Sequence, residues 1–418
     1  MRRIYMPLGL AVALLSPFPF VVPAMAQPPV AAATAVEGTG PLDLEGALSL
    51  TAASNFSLSA AGKELDSTEG GIMQARTIPN PEIEANMEDT RRATRSTTAQ
   101  ANIPIELGGK RSARIGAAER ARDVAQAGLS SVRADIRSQV IESFFGVLIA
   151  QERVKLATGS ADIATRAAQA AARRVAAGKI SPVDETKARV EQANAELELA
   201  EATAGLLSAR QRLTALWGNT RPQFSEAVGD PGALPSRPAP EALQQALDES
   251  PLVAMSRAEL DRRQALVNVE RSRQYPDLTL SLGAKRDNEA NRNMAVIGVA
   301  IPLPLFDRNQ GNLYQAIRQA DKAQDEHLAN RIALSRTLLQ ASNQLSVSRD
   351  SARLLRETVL PAAEQALNAA TTGFDAGKFS YLDVLDAQRT LFQARIRYLG
   401  VLAQTHQSAT TIDRILGR

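Results

Sequence analysis

Two regions of the chain alternate strictly between apolar and polar residues. In the first, Ile83, Ala85 and Met87 alternate with Glu82, Glu84, Asn86 and Glu88. After the polar tip "EDTRRATRS", Ala99, Ala101, Ile103, Ile105 and Leu107 alternate with Thr98, Gln100, Asn102 and Glu106. In the second, Leu278, Leu280, Leu282 and Ala284 alternate with Asp277, Thr279, Ser281 and Lys285. Past "RDNEANRN", Ala295, Ile297, Val299, Ile301, Leu303 and Leu305 continue the apolar side. A period of two predicts strands with one apolar and one polar face, forming hairpins over 78–107 and 275–305. Each strand is about ten residues, the length that crosses an outer membrane when tilted.

The rest of the pattern is helical. No proline occurs between 107 and 176, and Leu129, Val132, Ile136, Val140, Phe144 and Val147 recur at spacings of three and four. This predicts a helix over 107–176, about 105 Å long at 1.5 Å per residue, with a counterpart over 306–376. Shorter helices are predicted over 43–77, 182–217, 240–274 and 381–415. Gly159 and Pro361 occupy nearly matching places in the two long helices, and a local break or bend is expected at both.

The order of elements occurs twice because the chain is duplicated. "AAGKISPVDETKARV" (176–190) aligns with "DAGKFSYLDVLDAQR" (375–389) at an offset of 199. "ANIPIELGGKRSARIGAAERA" (101–121) aligns with the stretch from 299 at 198, and "NPEIEANME" (80–88) with "YPDLTLSLG" (275–283) at 195. The halves are 41–218 and 241–418, joined by a proline-rich linker over 219–240. Four amphipathic strands in hydrocarbon cannot leave an edge open, and four are too few to close a barrel. Several chains must build it, two giving eight strands and three giving twelve.

Composition removes other classes. The 48 basic and 45 acidic residues nearly cancel and aromatics are sparse, so no basic, stacking surface for nucleic acid is expected. At the start, Arg2 and Arg3 precede an apolar stretch from Leu8 to Val22, and Ala24 and Ala26 suit cleavage after Ala26. Residues 1–26 are expected to be an export signal and 27–40 a flexible segment. The chain has no cysteine, which excludes disulfides, thiolate metal sites and a lipid anchor on cysteine. There is no G-x-S-x-G elbow, phosphate loop or H-E-x-x-H motif, and His327 and His406 stand alone in helical pattern. No catalytic residue, cofactor or resident metal is expected, and a metal substrate would be passed along, not held.

The helix tips carry the remaining chemistry. Gly178 and Gly377 fit left-handed residues ending the long helices. Ser181, Pro182 and Asp184 read as a cap, a first-turn proline and a carboxylate reaching back to the cap, and Ser380 with Asp383 makes the same box. Asp386 lies a turn further in, and its counterpart in the first repeat is Lys187.

Over essentially the whole mature chain this arrangement resembles the TolC-like outer membrane efflux channels, with "LDLEGALSLTAASN" (42–55), "PNP" (79–81) and "GKFSYLDVLDA" (377–387) similar to family motifs. "IPLPLFDRNQGN" (301–312) is similar to the cation-efflux, CzcC-like branch, with Pro302, Pro304, Phe306, Asp307, Asn309 and Gly311 carrying the likeness. The resemblance implies a mixed α/β membrane protein, mainly α. In a homotrimer, each chain would give four strands to a twelve-stranded outer membrane barrel, and long coiled-coil hairpins would form a periplasmic tunnel. It implies a conduit for heavy-metal cations served by a periplasmic adaptor and an inner membrane RND pump. Alternatives are a channel for drug efflux or type I secretion, and, in another class, a periplasmic coiled-coil adaptor. Asp383 and Asp386, with Asp184, are expected at the tunnel entrance, where matching TolC aspartates lie. Gly178, Lys179, Ser181, Gly377, Lys378 and Ser380 are expected to meet the adaptor. Where TolC holds its entrance with a tyrosine and an arginine, this chain has Phe374 and Phe379, which cannot form that polar lock.

Overall fold

The computed structural model describes residues 37–418. The expected export signal lies outside the described residues. Helix α1 (Leu44–Ser54) and helix α2 (Phe56–Arg76) lead into strands β1 (Glu82–Glu88) and β2 (Ser96–Ile105). Helix α3 (Lys110–Ala176) follows and returns through α4 (Pro182–Ala215). The second half runs α5 (Pro240–Ala246), α6 (Pro251–Ser272), β3 (Leu278–Asp287), β4 (Arg292–Ala300), α7 (Gln310–Leu354), α8 (Leu360–Asp375) and α9 (Tyr381–Leu416). Helix α3 packs along α2, α4, α6 and α9, so the two repeats share one column.

The expected break at Gly159 is absent, because α3 continues through it for 67 residues. Glycine keeps its amide and adds no bulk, so the hydrogen-bond ladder survives. Pro361 does interrupt its helix. It has no amide hydrogen, its ring crowds the carbonyl four residues back, and a π turn over Leu355–Val359 absorbs the misfit.

Two of the shorter helices are not single. The expected helix over 43–77 breaks at Asn55, whose backbone is extended and whose Oδ1 accepts the Leu58 amide. Its Nδ2 donates 2.7 Å to the Leu216 carbonyl at the end of α4. The expected helix over 240–274 breaks at Ser250, whose hydroxyl caps the Leu252 amide and donates to the Ile415 carbonyl at the end of α9. Asn55 and Ser250 are 195 positions apart and Leu216 and Ile415 are 199 apart, so one joint has been duplicated. In each repeat a polar cap ties the first short helix to the last turn of the second. Asn55→Ala is expected to lose the cap and leave the half-buried Leu216 carbonyl without its partner, at about 1–2 kcal/mol. Chemical unfolding followed through Trp217, the chain's one tryptophan, measures it.

The core lies midway along the column. Leu42, Val140, Phe144, Val147, Leu213, Trp217 and Phe224 form one buried cluster. Leu243, Leu247, Leu338, Leu345, Ile412 and Ile415 form the equivalent cluster of the second repeat. The inter-repeat segment supplies Phe224 and Ala227, and Ala227 bridges Leu42 in a parallel strand contact. Toward the tips the buried residues shrink to Ala157, Ala161, Ala164, Ala168 and Ala171, which let two helices approach closely without a wide core.

The four strands form one antiparallel sheet in the order β1, β2, β3, β4. The register aligns Ile83, Ala101, Leu282 and Ile297 on one face and Glu84, Gln100, Gly283 and Val296 on the other. The strand expected to run through Leu305 ends at Ala300, and residues 301–304 are irregular.

Candidate functional site

The sheet has two chemically distinct faces. On one, Ile83 is 81% and Ile297 76% exposed, surface that only an apolar surrounding would favour. On the other, polar side chains bond across strands. Glu84 accepts from Gln100 and Asn102 at 2.8 Å each and from Asn86 at 2.6 Å. Asn102 accepts from the Ser281 hydroxyl at 2.6 Å, which carries the network onto β3. Glu88 accepts from Ser96 and from the Lys285 ammonium, both at 2.9 Å. A polar, charge-bearing face opposite a bare apolar one is the signature of a sheet between lipid and a wet lumen. No helix of the described residues is long and apolar enough to cross a membrane.

At the far end the two tips are built alike. Gly178 (φ 68°) and Gly377 (φ 69°) are left-handed. The amides of Gly178 and Lys179 bond the Val175 and Arg174 carbonyls, and those of Gly377 and Lys378 bond the Phe374 and Gly373 carbonyls. Each long arm therefore ends in a six-to-one closure that only a residue without a Cβ adopts cheaply. Lys179 and Lys378 are exposed beside these turns.

The caps then diverge. Ser380 and Asp383 form a reciprocal box: the Ser380 amide donates 2.7 Å to Asp383, and the Asp383 amide returns to the Ser380 hydroxyl. The Ser380 hydroxyl and amide hold the Asp383 carboxyl below its ordinary value. Ser181 caps only the Val183 amide, and the expected return bond from Asp184 to the cap is not formed. Asp386 is exposed three residues beyond Asp383 and makes no ion pair among the described residues, and Lys187 is likewise exposed. The structure thus puts Asp383 and Asp386 on one exposed helical face and leaves Asp184 half-buried on another hairpin.

Phe374 and Phe379 form no polar lock, yet they are engaged. The Arg174 guanidinium lies 4.2 Å from the centre of the Phe374 ring, tying the first tip to the second. Phe379 folds against Gly373, where an added Cβ would fall 2.1 Å from its ring. Further along, Arg389 pairs with Glu191 between α9 and α4.

The strand-to-helix segment is an ordered turn. Asp307 accepts the Asn309 amide at 2.9 Å, and Asn309, left-handed at φ 56°, precedes α7. Asn309 also donates to the Glu270 carbonyl at 2.8 Å, fastening α7 to α6. The Pro304 carbonyl accepts from Arg308 at 3.2 Å, Pro302 and Phe306 are exposed, and Gly311 lies in the first turn of α7 with open space around it. His406 is buried, with Nε2 2.9 Å from the Pro231 carbonyl and its ring stacked on Phe145. His327 shares a 2.8 Å hydrogen bond with Ser256. Among the described residues no three His, Cys, Asp or Glu side chains come together to hold a metal ion.

A duplicated column of long helical hairpins carrying a two-faced sheet defines a channel subunit of outer membrane type. The chain belongs to the outer membrane efflux protein family, whose pattern matches residues 47–219 and 242–418. Among its relatives, the cobalt-zinc-cadmium resistance protein CzcC of Cupriavidus metallidurans is 78% identical over 418 residues, all of both chains. The nickel-cobalt-cadmium resistance protein NccC of Alcaligenes xylosoxydans xylosoxydans is 28% identical over 60% of this chain and 58% of that one. Among solved structures, a membrane protein from Pseudomonas aeruginosa superposes with a TM-score of 0.79 at 18% identity, covering 89% of this chain and 92% of that one. CusC superposes with a TM-score of 0.75 at 18% identity, over 89% and 91% of the two chains.

Proposed function

We propose that this chain is the outer membrane channel of a tripartite efflux system that exports heavy-metal cations. In this reading a homotrimer closes the barrel, an inner membrane RND-type pump supplies the energy, and a periplasmic adaptor meets the tips around Gly178, Lys179, Ser181, Gly377, Lys378 and Ser380. The observation that carries it is the sheet, whose charged network face and bare apolar face suit a wall between lumen and lipid. The cation assignment is supported by the 78% identity to a cobalt-zinc-cadmium resistance protein. Conduction is passive. The chain has no motif for energy coupling, and a ring of carboxylates at a narrow entrance attracts cations and repels anions.

In planar bilayers the purified protein is expected to form cation-selective pores, and absence of conductance overturns the proposal. Asp383 and Asp386 from three copies would make the entrance ring. The double variant Asp383→Ala, Asp386→Ala is expected to raise single-channel conductance and weaken block by multivalent cations about tenfold. Asp386→Ala alone should carry most of the change, because Asp383 also serves its cap. Unchanged conductance and block would remove the ring from the account.

A further inference from the structure

The two ends of the sheet carry opposite chemistry. At the helix end the cations are neutralised: Lys110 pairs with Asp277 at 2.8 Å and Arg114 pairs with Glu106. Tyr275 and Phe306 are exposed at that end. At the hairpin end, residues 88–96 and 286–292 contain no aromatic residue. Arg91, Arg92, Arg95, Arg286 and Arg292 gather there instead, and none of them makes an ion pair among the described residues. Lys285 does, with Glu88 at 2.9 Å. Asp89 and Asp287 are turned to their own loops: Asp89 accepts the Arg91 amide at 3.0 Å and the Thr94 hydroxyl, and Asp287 accepts the Ala290 amide at 3.0 Å. Glu289 is exposed. Asn288 ties the loops together, its amide donating to the Arg95 carbonyl and its Nδ2 to the Arg92 carbonyl, both at 3.1 Å. Arg91 and Arg92 are thereby held exposed beside the 286–292 turn.

Register sorts these cations by face. Met87, Thr97, Arg286 and Asn293 align across the four strands, on the side of Ile83, Leu282 and Ile297. Arg286 therefore continues the apolar face of Leu278, Leu280, Leu282 and Ala284. Its acceptors are the neutral carboxamides of Asn291 (2.7 Å) and Asn293 (3.3 Å), which hold the guanidinium and leave its charge uncompensated. Arg292 stands opposite Asp287 on the polar face. From Leu278 to Arg286 is about 27 Å along a strand and about 20 Å along the membrane normal at the usual tilt, against an apolar band about 25 Å tall. The cost of a cation on the lipid side falls away from the midplane to the interface, so Arg286 lies at the depth of lipid head groups. The hairpin end points away from the periplasmic helices and meets the outer leaflet.

Resting on the sheet as a wall between lumen and lipid, we infer that Arg286, with Arg91 and Arg92 beside it, binds the phosphate groups of lipid A, the phosphorylated glycolipid of the outer leaflet. Guanidinium forks pair phosphate oxygens two at a time, and an anionic lipid surface draws exposed arginines to it. Outer membrane barrels commonly mark this rim with aromatic residues. This chain fastens it to the lipid by charge.

Purified full chain in detergent, titrated with lipid A and followed by native mass spectrometry, tests the site. Wild type is expected to hold bisphosphorylated lipid A at least about tenfold more tightly than lipid A stripped of phosphate, and inorganic phosphate at equal concentration should not displace it. Arg286→Gln is expected to weaken binding about fivefold, and Arg91→Gln, Arg92→Gln and Arg286→Gln together about a hundredfold, one similar step for each arginine at an anionic surface. Arg286→Lys should recover part of the loss, and Arg292→Gln should bind as wild type does. Equal affinity for lipid A with and without phosphate would overturn the site in the wild type itself, independently of how any variant assembles. Displacement by inorganic phosphate would overturn the lipid assignment, and an equal loss in Arg292→Gln would overturn the placement on the lipid face. The same preparations in planar bilayers separate the site from the wall it rests on. Pores without phosphate-dependent lipid binding overturn the site alone, and absence of pores overturns the wall.

Discussion

Gly283→Val is expected to abolish the heat-stable oligomer and leave the protein in the periplasm or degraded. Gly283 lies in β3 opposite Gln100 of β2, on the seam that joins the two repeats. A Cβ there would fall 2.4 Å from the Ala99 carbonyl oxygen and 2.6 and 2.8 Å from Gln100 Cβ and Cα. Two of those three atoms are backbone, so nothing at the end of a flexible side chain can move aside. Overpacking of this kind costs about 1–3 kcal/mol in a core and more where main chain must part. Here it would also separate Gln100 from Glu84 and dismantle the polar face. Gly298→Val is the matched control. Its added Cβ has its nearest neighbour at 3.5 Å, on Ser281, which is ordinary contact. Gels of unheated outer membranes with both variants check the pair of outcomes.

Glu37→Ala is expected to be among the most destabilising changes in the column. Glu37 is 6% exposed, yet it sits beside the core with four donors converging on it. The Trp217 indole (3.1 Å) and the Asn219 carboxamide (2.5 Å) bond one oxygen, and the Gln223 and Phe224 amides (2.7 and 3.0 Å) bond the other. Removing the carboxylate leaves the buried Trp217 and Phe224 donors without a partner, with Asn219 and Gln223 at the half-buried rim, at about 1–3 kcal/mol for each buried donor. Burial pushes the Glu37 carboxyl up, and the Gln223 and Phe224 amides with Trp217 and Asn219 outweigh it, holding the group below its ordinary 4.5. A carboxyl depressed in the folded state binds protons more weakly than in the unfolded chain. Its stabilisation is therefore present above pH 4.5 and is lost as pH falls through the folded value. Trp217 fluorescence during acid titration measures this. The wild type should weaken below that pH more steeply than Glu37→Gln, which has no charge to lose.

The alternation of Ile83 with Glu84 and of Leu282 with Ser281 made the sheet's two faces legible before any coordinates, because period two has few other causes. The long proline-free stretch did the same for α3. The joints at Asn55 and Ser250 were not legible, since each is a short polar residue in helical pattern whose partner carbonyl lies some 160 positions away along the chain. Glu37 escaped for the same reason: a lone carboxylate in a polar segment shows nothing of the four donors waiting for it. At the tips, the glycines and caps announced the turns. The failure of Asp184 to close its box, and the stacking of Arg174 on Phe374, depend on how two hairpins lie together, which local pattern does not specify. The mismatch between 198 and 200 positions at the start of the long helices is instructive. Matching the "IP" pairs by letter favoured the first, and the left-handed residues Gly109 and Asn309 favour the second.

The proposed role as an outer membrane exit for heavy-metal cations is decided by metal tolerance. A strain lacking the chain, complemented with wild type or with Gly283→Val, should be grown over graded cobalt, zinc, cadmium and a panel of drugs. Wild type should restore tolerance to the metals, Gly283→Val should not, and drug tolerance should be unmoved in all three strains. Metal tolerance unchanged by loss of the chain, with drug tolerance falling instead, would contradict it.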